Sequence, residues 1–317
     1  MSNLYAPAIQ KTIYFIGVTT TKSSIMSVFP AWSDFLDLGA IIRGIDFKPH
    51  DEPSKYREFV SFIKNDSLSL GALVTTHKVD LLKATRDLFN GLDPCAHRLN
   101  EISCLSKQGA ELWGHAKDPI SSGLALEAFV REGYWKESGG EVLILGAGGS
   151  SLALTIYLIN KAKEGKDAPR RIVVTNRSSG RLMEVQKIHE TIDSPISLEN
   201  HLCPNPTDND RVLTRMKPGS LIINATGLGK DAPGSPLTDK AAFPEKGLVW
   251  DFNYRGDLVF LDQARAQQKH GGLIIEDGWT YFIHGWIQVI AEIFHIHIPT
   301  RGPEFNELSK IAASARS

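Results

Sequence analysis

The residues best suited to chemistry lie near the middle of the chain, where Glu141 to Leu145 (EVLIL) leads into Gly146-Ala147-Gly148-Gly149-Ser150-Ser151 and an apolar helical stretch. Glycines there permit a tight turn and let backbone N–H groups approach a pyrophosphate, while the N-terminus of the next helix offers partial positive charge. The last position of this G-x-G-x-x-G pattern is Ser151, small but not glycine, so its weight comes from the strand before it and the helix after it. The competing reading is a merely structural strand-to-helix turn. Gly146, Ala147, Gly148 and Gly149 are therefore candidate cofactor contacts. The next strand ends in Thr175-Asn176-Arg177-Ser178-Ser179-Gly180-Arg181, with two arginines where NAD-binding sheets usually carry a carboxylate for the ribose 2′-hydroxyl. A guanidinium can pair with phosphate through two hydrogen bonds and lie flat on adenine, which suits a 2′-phosphate and hence NADP. The alternative is that Arg177 and Arg181 cap the next helix or are simply solvated.

Alternating elements must position these residues. Thr12 to Val18, Ala40 to Phe47 and Leu70 to Thr75 read as strands, separated by helical spacing over Ser24 to Leu38 and Pro53 to Lys64. A helix is expected over Lys78 to Phe89, then a hairpin from Asn100 to Gly114 around Gln108-Gly109. Pro119 to Gly123 punctuates the chain, and Ser121 or Ser122 could cap a helix running to about Tyr134. Beyond lie strands at Glu141 to Leu145, Arg171 to Thr175, Ile196 to Asn200, Ser220 to Ala225 and Leu248 to Phe252. Helices over Gly149 to Ala162 and Ser179 to Thr191 separate the first of them, which implies a parallel sheet covered on both faces. Trp279 to Ile298 reads as a packed helix whose core face is Trp279, Phe282, Trp286, Ile290 and Phe294.

Composition narrows the class. At roughly 150 residues per domain, 317 residues suggest two domains. Lysine plus arginine number 35 against 36 acidic residues, a net charge of −1 that removes the electrostatic case for a nucleic-acid or anionic-membrane binder. Cys95, Cys104 and Cys203 are odd in number and form no C-x-x-C pair, so they read as reduced thiols in a cytoplasmic protein. The opening MSNLYAPAIQKT lacks an apolar run after a basic start, so no secretory signal is expected.

With these elements in place, the chain resembles the shikimate/quinate dehydrogenase family over nearly its whole length. The resemblance rests on Gly17 to Ser27 (GVTTTKSSIMS), Val74 to Lys78 (VTTHK), Gly114 to Asp118 (GHAKD) and the GAGG loop. It continues through Asn176-Arg177-Ser178, Ile223 to Thr226 (INAT), Asp251 to Tyr254 (DFNY) and Asp277-Gly278. It implies an N-terminal α/β substrate domain plus a Rossmann-type doubly wound parallel sheet domain, with the C-terminal helix returning to the first. The expected bounds are residues 1–120 completed by 272–317, and 121–271. The resemblance assigns a catalytic pair, matched by Lys78 and Asp118. A lysine near a carboxylate can exchange the hydroxyl proton or stabilise a developing alkoxide while hydride moves to the cofactor. It also places Gly278 beside the nicotinamide and Tyr254 at the substrate carboxylate.

The departures fall on substrate contacts. The family's S-x-S-P segment aligns with Ser23-Ser24-Ile25-Met26, so only the first serine is kept. The threonine of its lysine motif aligns with Val74, beside Thr75 and Thr76; its A-V-N-T asparagine aligns with Ser103, and its C-terminal glutamine with Gly285. Ser23, Thr75, Ser103, Tyr254 and Gly285 are thus the candidate substrate residues, with Lys22 supplying positive charge for a carboxylate or standing as a solvated loop charge. Lost hydroxyl contacts should move specificity. His77 could orient Lys78, meet substrate or simply pack. Asn224 and Thr226 end a parallel strand and are plausible cofactor neighbours. His295, His297, Cys95 and His97 match no closed metal site, so no metal is expected.

The expectation is an NADP-dependent enzyme of aromatic amino acid biosynthesis that interconverts a ring hydroxyl and ketone on shikimate or a related cyclic polyol acid. The alternatives are a quinate- or aminoshikimate-type dehydrogenase, a folate-type dehydrogenase, and a non-catalytic NADP-binding regulator. The expected partner is the small-molecule polyol acid, with no nucleic acid or membrane, and the chain a monomer or homodimer.

Overall fold

The structure, a computed structural model, describes residues 5–230 and 232–315. The chain divides into two compact units: one runs to Lys117 and resumes at Ile283, and the other spans Asp118–Phe282.

The first unit is built on strands β1 (Thr12–Gly17), β2 (Ile41–Asp46), β3 (Ser69–Val74), β4 (Gly91–Leu92), β5 (Cys104–Gln108) and β6 (Glu111–His115), in the order β2-β1-β3-β5-β6-β4. β1 pairs in parallel with β2 and β3, and every β1 residue is buried, as befits a central strand covered on both faces. β5 and β6 form the antiparallel hairpin expected around Gln108-Gly109. The helices Ile25–Phe35 and Pro53–Asn65 bury apolar stripes that include Phe29, Trp32, Tyr56 and Phe59. The C-terminal helix Pro303–Ser314 joins this unit through a buried hydrogen bond of 2.8 Å from Trp32 Nε1 to Leu308 O.

The second unit is a fully parallel sheet of β7 (Val142–Leu145), β8 (Arg171–Asn176), β9 (Ser197–Leu202), β10 (Leu221–Asn224), β11 (Leu248–Asp251) and β12 (Ile274–Glu276). Its order is β12-β11-β10-β7-β8-β9. The chain moves outward from β7 through β8 to β9, then crosses back to β10 and outward the other way. That reversal lies between β7 and β10, and the carboxyl ends of such neighbouring strands form the crevice where doubly wound sheets bind ligands. β7, β10 and β11 are wholly buried, which is why VLIL, LIIN and LVWD are nearly continuous apolar runs.

Three expectations need correction. The helix after β6 spans Asp118–Glu127 rather than starting from a Ser121 or Ser122 cap. Pro119 sits in its first turn, where a missing N–H costs nothing, and Ser122 Oγ donates back to Pro119 O at 3.1 Å. The return to the first unit falls inside the helix Trp279–Phe294 rather than at residue 272, because β12 pairs with β11 and holds that segment in the parallel sheet. The core stripe of that helix is Ile283, Trp286, Ile287, Ile290 and Ile293, whereas Trp279, Phe282 and Phe294 are only half-buried. No helix among the described residues is long and apolar enough to cross a membrane.

Candidate active site

In the parallel-sheet unit the glycine loop sits at the β7/β10 crevice. Gly146 takes φ +105°, a region that favours glycine, and its N–H donates to Thr175 O at 2.9 Å. Gly148 caps the helix Gly149–Lys163 from an extended conformation, and a Cβ built on it would meet nothing within 4 Å. The first turn of that helix therefore faces open space. There lies a cavity of about 450 Å³, walled by Gly146, Gly148, Asn176, Arg177, Cys203 and Thr226 among others. Small-molecule sites run from about 300 to 1,000 Å³. Thr175 Oγ1 on its wall is buried without a hydrogen-bond partner. An open helix N-terminus, a guanidinium on the wall and a spare hydroxyl together fit a phosphorylated dinucleotide.

The two arginines separate. Arg177 lines the cavity, whereas Arg181 is off its wall and pairs with Glu184 one turn along its own helix, at 2.7 Å. Asn176 shapes the loop: its Oδ1 accepts from Ala147 N at 3.4 Å and its Nδ2 donates to Ser178 O and Oγ, both at 3.1 Å. Gly149 opens the helix but is not on the wall.

Beside the cavity lies a buried polar network. Asp251, 0% exposed at the end of β11, accepts from Asn224 Nδ2 at 3.0 Å and from Asn253 N at 2.8 Å. Burial pushes its carboxyl up to about 6, against hydrogen bonds that favour the ionised form. Asn253 Nδ2 donates to Thr226 O and Leu228 O, both at 3.1 Å, and Asn253 O accepts from Gly278 N at 3.0 Å. Asn224 Oδ1 accepts from Thr226 N and, at 2.6 Å, from Thr226 Oγ1. Thr226 is thus a wall residue, while Asn224 acts behind it. A Cβ on Gly278 would lie 2.1 Å from Phe252 O, so backbone approach fixes glycine there. Tyr254 packs on Trp279 and Phe282, with ring centroids 5.4 and 4.8 Å away. Asp118 begins its helix in this unit.

In the first unit Lys78 opens the helix Lys78–Thr85, and its carbonyl accepts from Ile102 N at 3.3 Å. His77, 1% exposed, is packed: Nε2 lies 3.1 Å from Gly17 O and Nδ1 2.9 Å from Tyr56 Oη. A carbonyl only accepts, so Nε2 carries the proton, and in the neutral ring Nδ1 accepts from Tyr56. The ring ties the loop after β1 to the residue before Lys78. Thr75 N and Oγ1 both donate to Ile16 O, so that hydroxyl is already engaged, and Thr76 is exposed at φ +50°. Ile25 and Val74, which stand where the family has serine and threonine, are both 0% exposed. Ser23 is half-buried and Lys22 exposed in the adjoining turn. Gly285 faces open space. Ser103 is buried, and its Oγ accepts from Lys117 N at 2.8 Å. No group of metal-ligating side chains occurs among the described residues; His295 instead lies 2.7 Å from Lys107 O.

Sequence reasoning missed the wall formed by Cys203, Pro204, Asn205 and Asn209, which arrives from the far end of β9. DFNY is a landmark of the resemblance, with Tyr254 a substrate candidate, whereas the structure shows Asp251 and Asn253 bracing the segment. The signal that could have found them was Asp251 and Asn253 alternating with aromatic residues directly after the apolar LVW.

No protein-family model matches the chain. A shikimate dehydrogenase (NADP(+)) from Lactococcus lactis subsp. cremoris is 24% identical over 225 residues, 70% of this chain and 73% of its own length. Among solved structures, the shikimate 5-dehydrogenase of Thermus thermophilus, in complex with NADP(H) and shikimate, matches with a TM-score of 0.68 at 19% identity, covering 96% of this chain and 99% of that one. The ligand-free 5-ketofructose reductase of Gluconobacter sp. strain CHM43 matches with a TM-score of 0.69 at 17% identity, covering 96% and 98%. The chain is thus similar in sequence to shikimate dehydrogenases and shares the fold of these solved structures.

Proposed function

We propose that the chain is an NADP-dependent oxidoreductase that interconverts a ring hydroxyl and a ketone on shikimate or a related cyclic polyol acid. The observation that carries this reading is the cavity at the glycine loop with Arg177 on its wall. Gly146, Ala147, Gly148, Gly149, Asn176, Arg177, Thr226 and Gly278 would hold NADP, with Arg177 rather than Arg181 at the 2′-phosphate. When bound, NADP supplies the hydride chemistry that no side chain can. Lys78 moves the hydroxyl proton and Asp118 serves as its partner. Ser23, Thr75, Ser103, Tyr254 and Gly285 shape the substrate site. The similarity to shikimate dehydrogenases supports these roles.

A second reading keeps the reaction and changes the substrate to an uncharged polyol or keto sugar. It is favoured by Ile25, wholly buried where a carboxylate-binding serine would stand, and by the fold shared with a 5-ketofructose reductase. The test is NADPH oxidation or NADP reduction by purified protein with shikimate, quinate, their amino analogues and 5-ketofructose. Lys78→Ala should abolish turnover and keep NADP affinity. NADP binding without turnover of any of these would overturn both substrate assignments and leave a nucleotide-binding regulator.

A further inference from the structure

The segment leading into Asp118 is held more tightly than a connecting loop requires. β6 ends at His115, whose carbonyl accepts from Ser103 N at 2.8 Å. Ala116 N donates to Asp93 Oδ2 at 3.2 Å, and the other Asp93 oxygen caps the helix Pro94–Leu99 by accepting from Ala96 N at 2.6 Å. Lys117 N donates to Ser103 Oγ, and Lys117 Nζ reaches Glu292 Oε2 at 2.5 Å, on the helix Trp279–Phe294. His115 closes the cluster, with Nε2 2.8 Å from Ser106 Oγ and 3.4 Å from Glu292 Oε1, and Nδ1 3.7 Å from Asp93 Oδ2. All these groups lie in the first unit.

The ion pair is costly to build. Lys117 and Glu292 side chains are only 19% and 24% exposed, and a pair so far out of water is often no more stabilising than apolar side chains of the same size. What such a pair supplies is a fixed geometry. Burial alone would raise the Glu292 carboxyl, yet the Lys117 hydrogen bond, with charge from His115, Lys117 and His295, carries it below the usual carboxylate range and holds it as the carboxylate. In the G-x-N-T-D motif that Gly114 to Asp118 resembles, Lys117 stands at the threonine, a residue too short to reach across in this way.

We propose that Glu292, Ser103 and Asp93 form a clasp on Ala116-Lys117 that sets the position from which Asp118 acts, with Glu292 its positioning residue. The catalytic part rests on the reading of Asp118 given above; the clasp itself does not. Ser103 then serves by fixing the Lys117 peptide, and Lys117 is a strut.

The decisive variant is the double replacement Lys117→Met/Glu292→Met, which removes the pair without stranding a charge, with Glu292→Gln beside it. Hydrogen exchange of the Ala116 to Asp118 amides should quicken about tenfold or more in both, while amides of the helix Pro53–Asn65 stay as in wild type. Thermal stability of the double variant should stay near that of wild type. With the best substrate, kcat should fall about 10- to 100-fold, as for a slightly misplaced catalytic group, while NADP affinity holds. Wild-type exchange in both variants overturns the clasp. Faster exchange with wild-type kcat overturns its catalytic role. If wild-type protein turns over no substrate, the proposed function fails and exchange alone decides whether the clasp exists.

Discussion

Replacing Asp251 with asparagine tests the polar network behind the cofactor cavity, and its outcome depends on pH in a direction the structure dictates. The carboxyl is 0% exposed and titrates at about 6 in the folded protein, against 3.8 in the unfolded chain. A raised acid pKa means the folded state holds its proton longer. The group's contribution to stability is therefore full below about pH 4 and is lost as pH rises through about 6. A difference of about two in pKa, at about 1.4 kcal/mol for each, puts the loss near 3 kcal/mol, of which roughly 2–3 kcal/mol falls between about pH 4 and pH 7. An asparagine at this position cannot titrate, so the variant lacks this component. Its amide also sets a donor against either Asn224 Nδ2 or Asn253 N; relieving the first contact means flipping Asn224, whose Oδ1 holds Thr226 N and Oγ1, and the second donor is backbone that cannot turn. That mismatch should cost the variant a further 1–3 kcal/mol or so at every pH, and NADP should bind more weakly as the Thr226 loop loosens. Urea titrations of both proteins from about pH 4 to about pH 7.5 read the titrating component directly, as a gap that narrows by roughly 2–3 kcal/mol. A gap that stays constant across that range would refute the argument that Asp251 is a buried carboxyl with a raised pKa.

Arg177→Ala should weaken NADP binding by about 10- to 100-fold, the worth of a charged hydrogen bond to phosphate, while NAD binding changes little. Arg181→Ala should leave both unchanged, since Arg181 is engaged with Glu184 away from the wall; isothermal titration separates the two. Gly278→Ala sets a Cβ against the Phe252 carbonyl at 2.1 Å, a backbone neighbour that cannot rotate away. It should cost about 2–3 kcal/mol in a urea titration, and wild-type stability would show a looser approach. Trp32→Phe removes the bond to Leu308 O and leaves a void in a fully buried site. The variant should be less stable by about 2–3 kcal/mol, with the first exchange gain in the helix Pro303–Ser314.

Much of the framework is local information. TIYFIG, VLIL and LIIN are buried strands because unbroken β-branched and leucine runs suit a sheet covered on both faces, and that reading holds wherever the run stands in the chain. The glycine loop is equally local, since φ +105° at Gly146 demands glycine whatever surrounds it. The failures share a cause. β12 is only three residues long, and it is identified by pairing with β11, a partner separated from it in sequence. The buried stripe of the helix Trp279–Phe294 departs from the expected one at its ends because a 3.6-residue period fits neighbouring faces almost equally well.

By itself the sequence determined the alternation of strands and helices, the phosphate-suited loop, and the choice of arginine over carboxylate at the end of β8. These follow from backbone stereochemistry and charge type, which act over a few residues. Only the tertiary structure decided which arginine faces the cavity, that His77 braces the approach to Lys78, and that Ser103 and Glu292 grip the residue before Asp118. Glu292 and Lys117 are 175 positions apart, and a hydrogen bond of 2.5 Å between them exists only because packing of the helix Trp279–Phe294 brings Glu292 to the end of β6. Periodicity says that a face is buried; strand order and helix packing say against what.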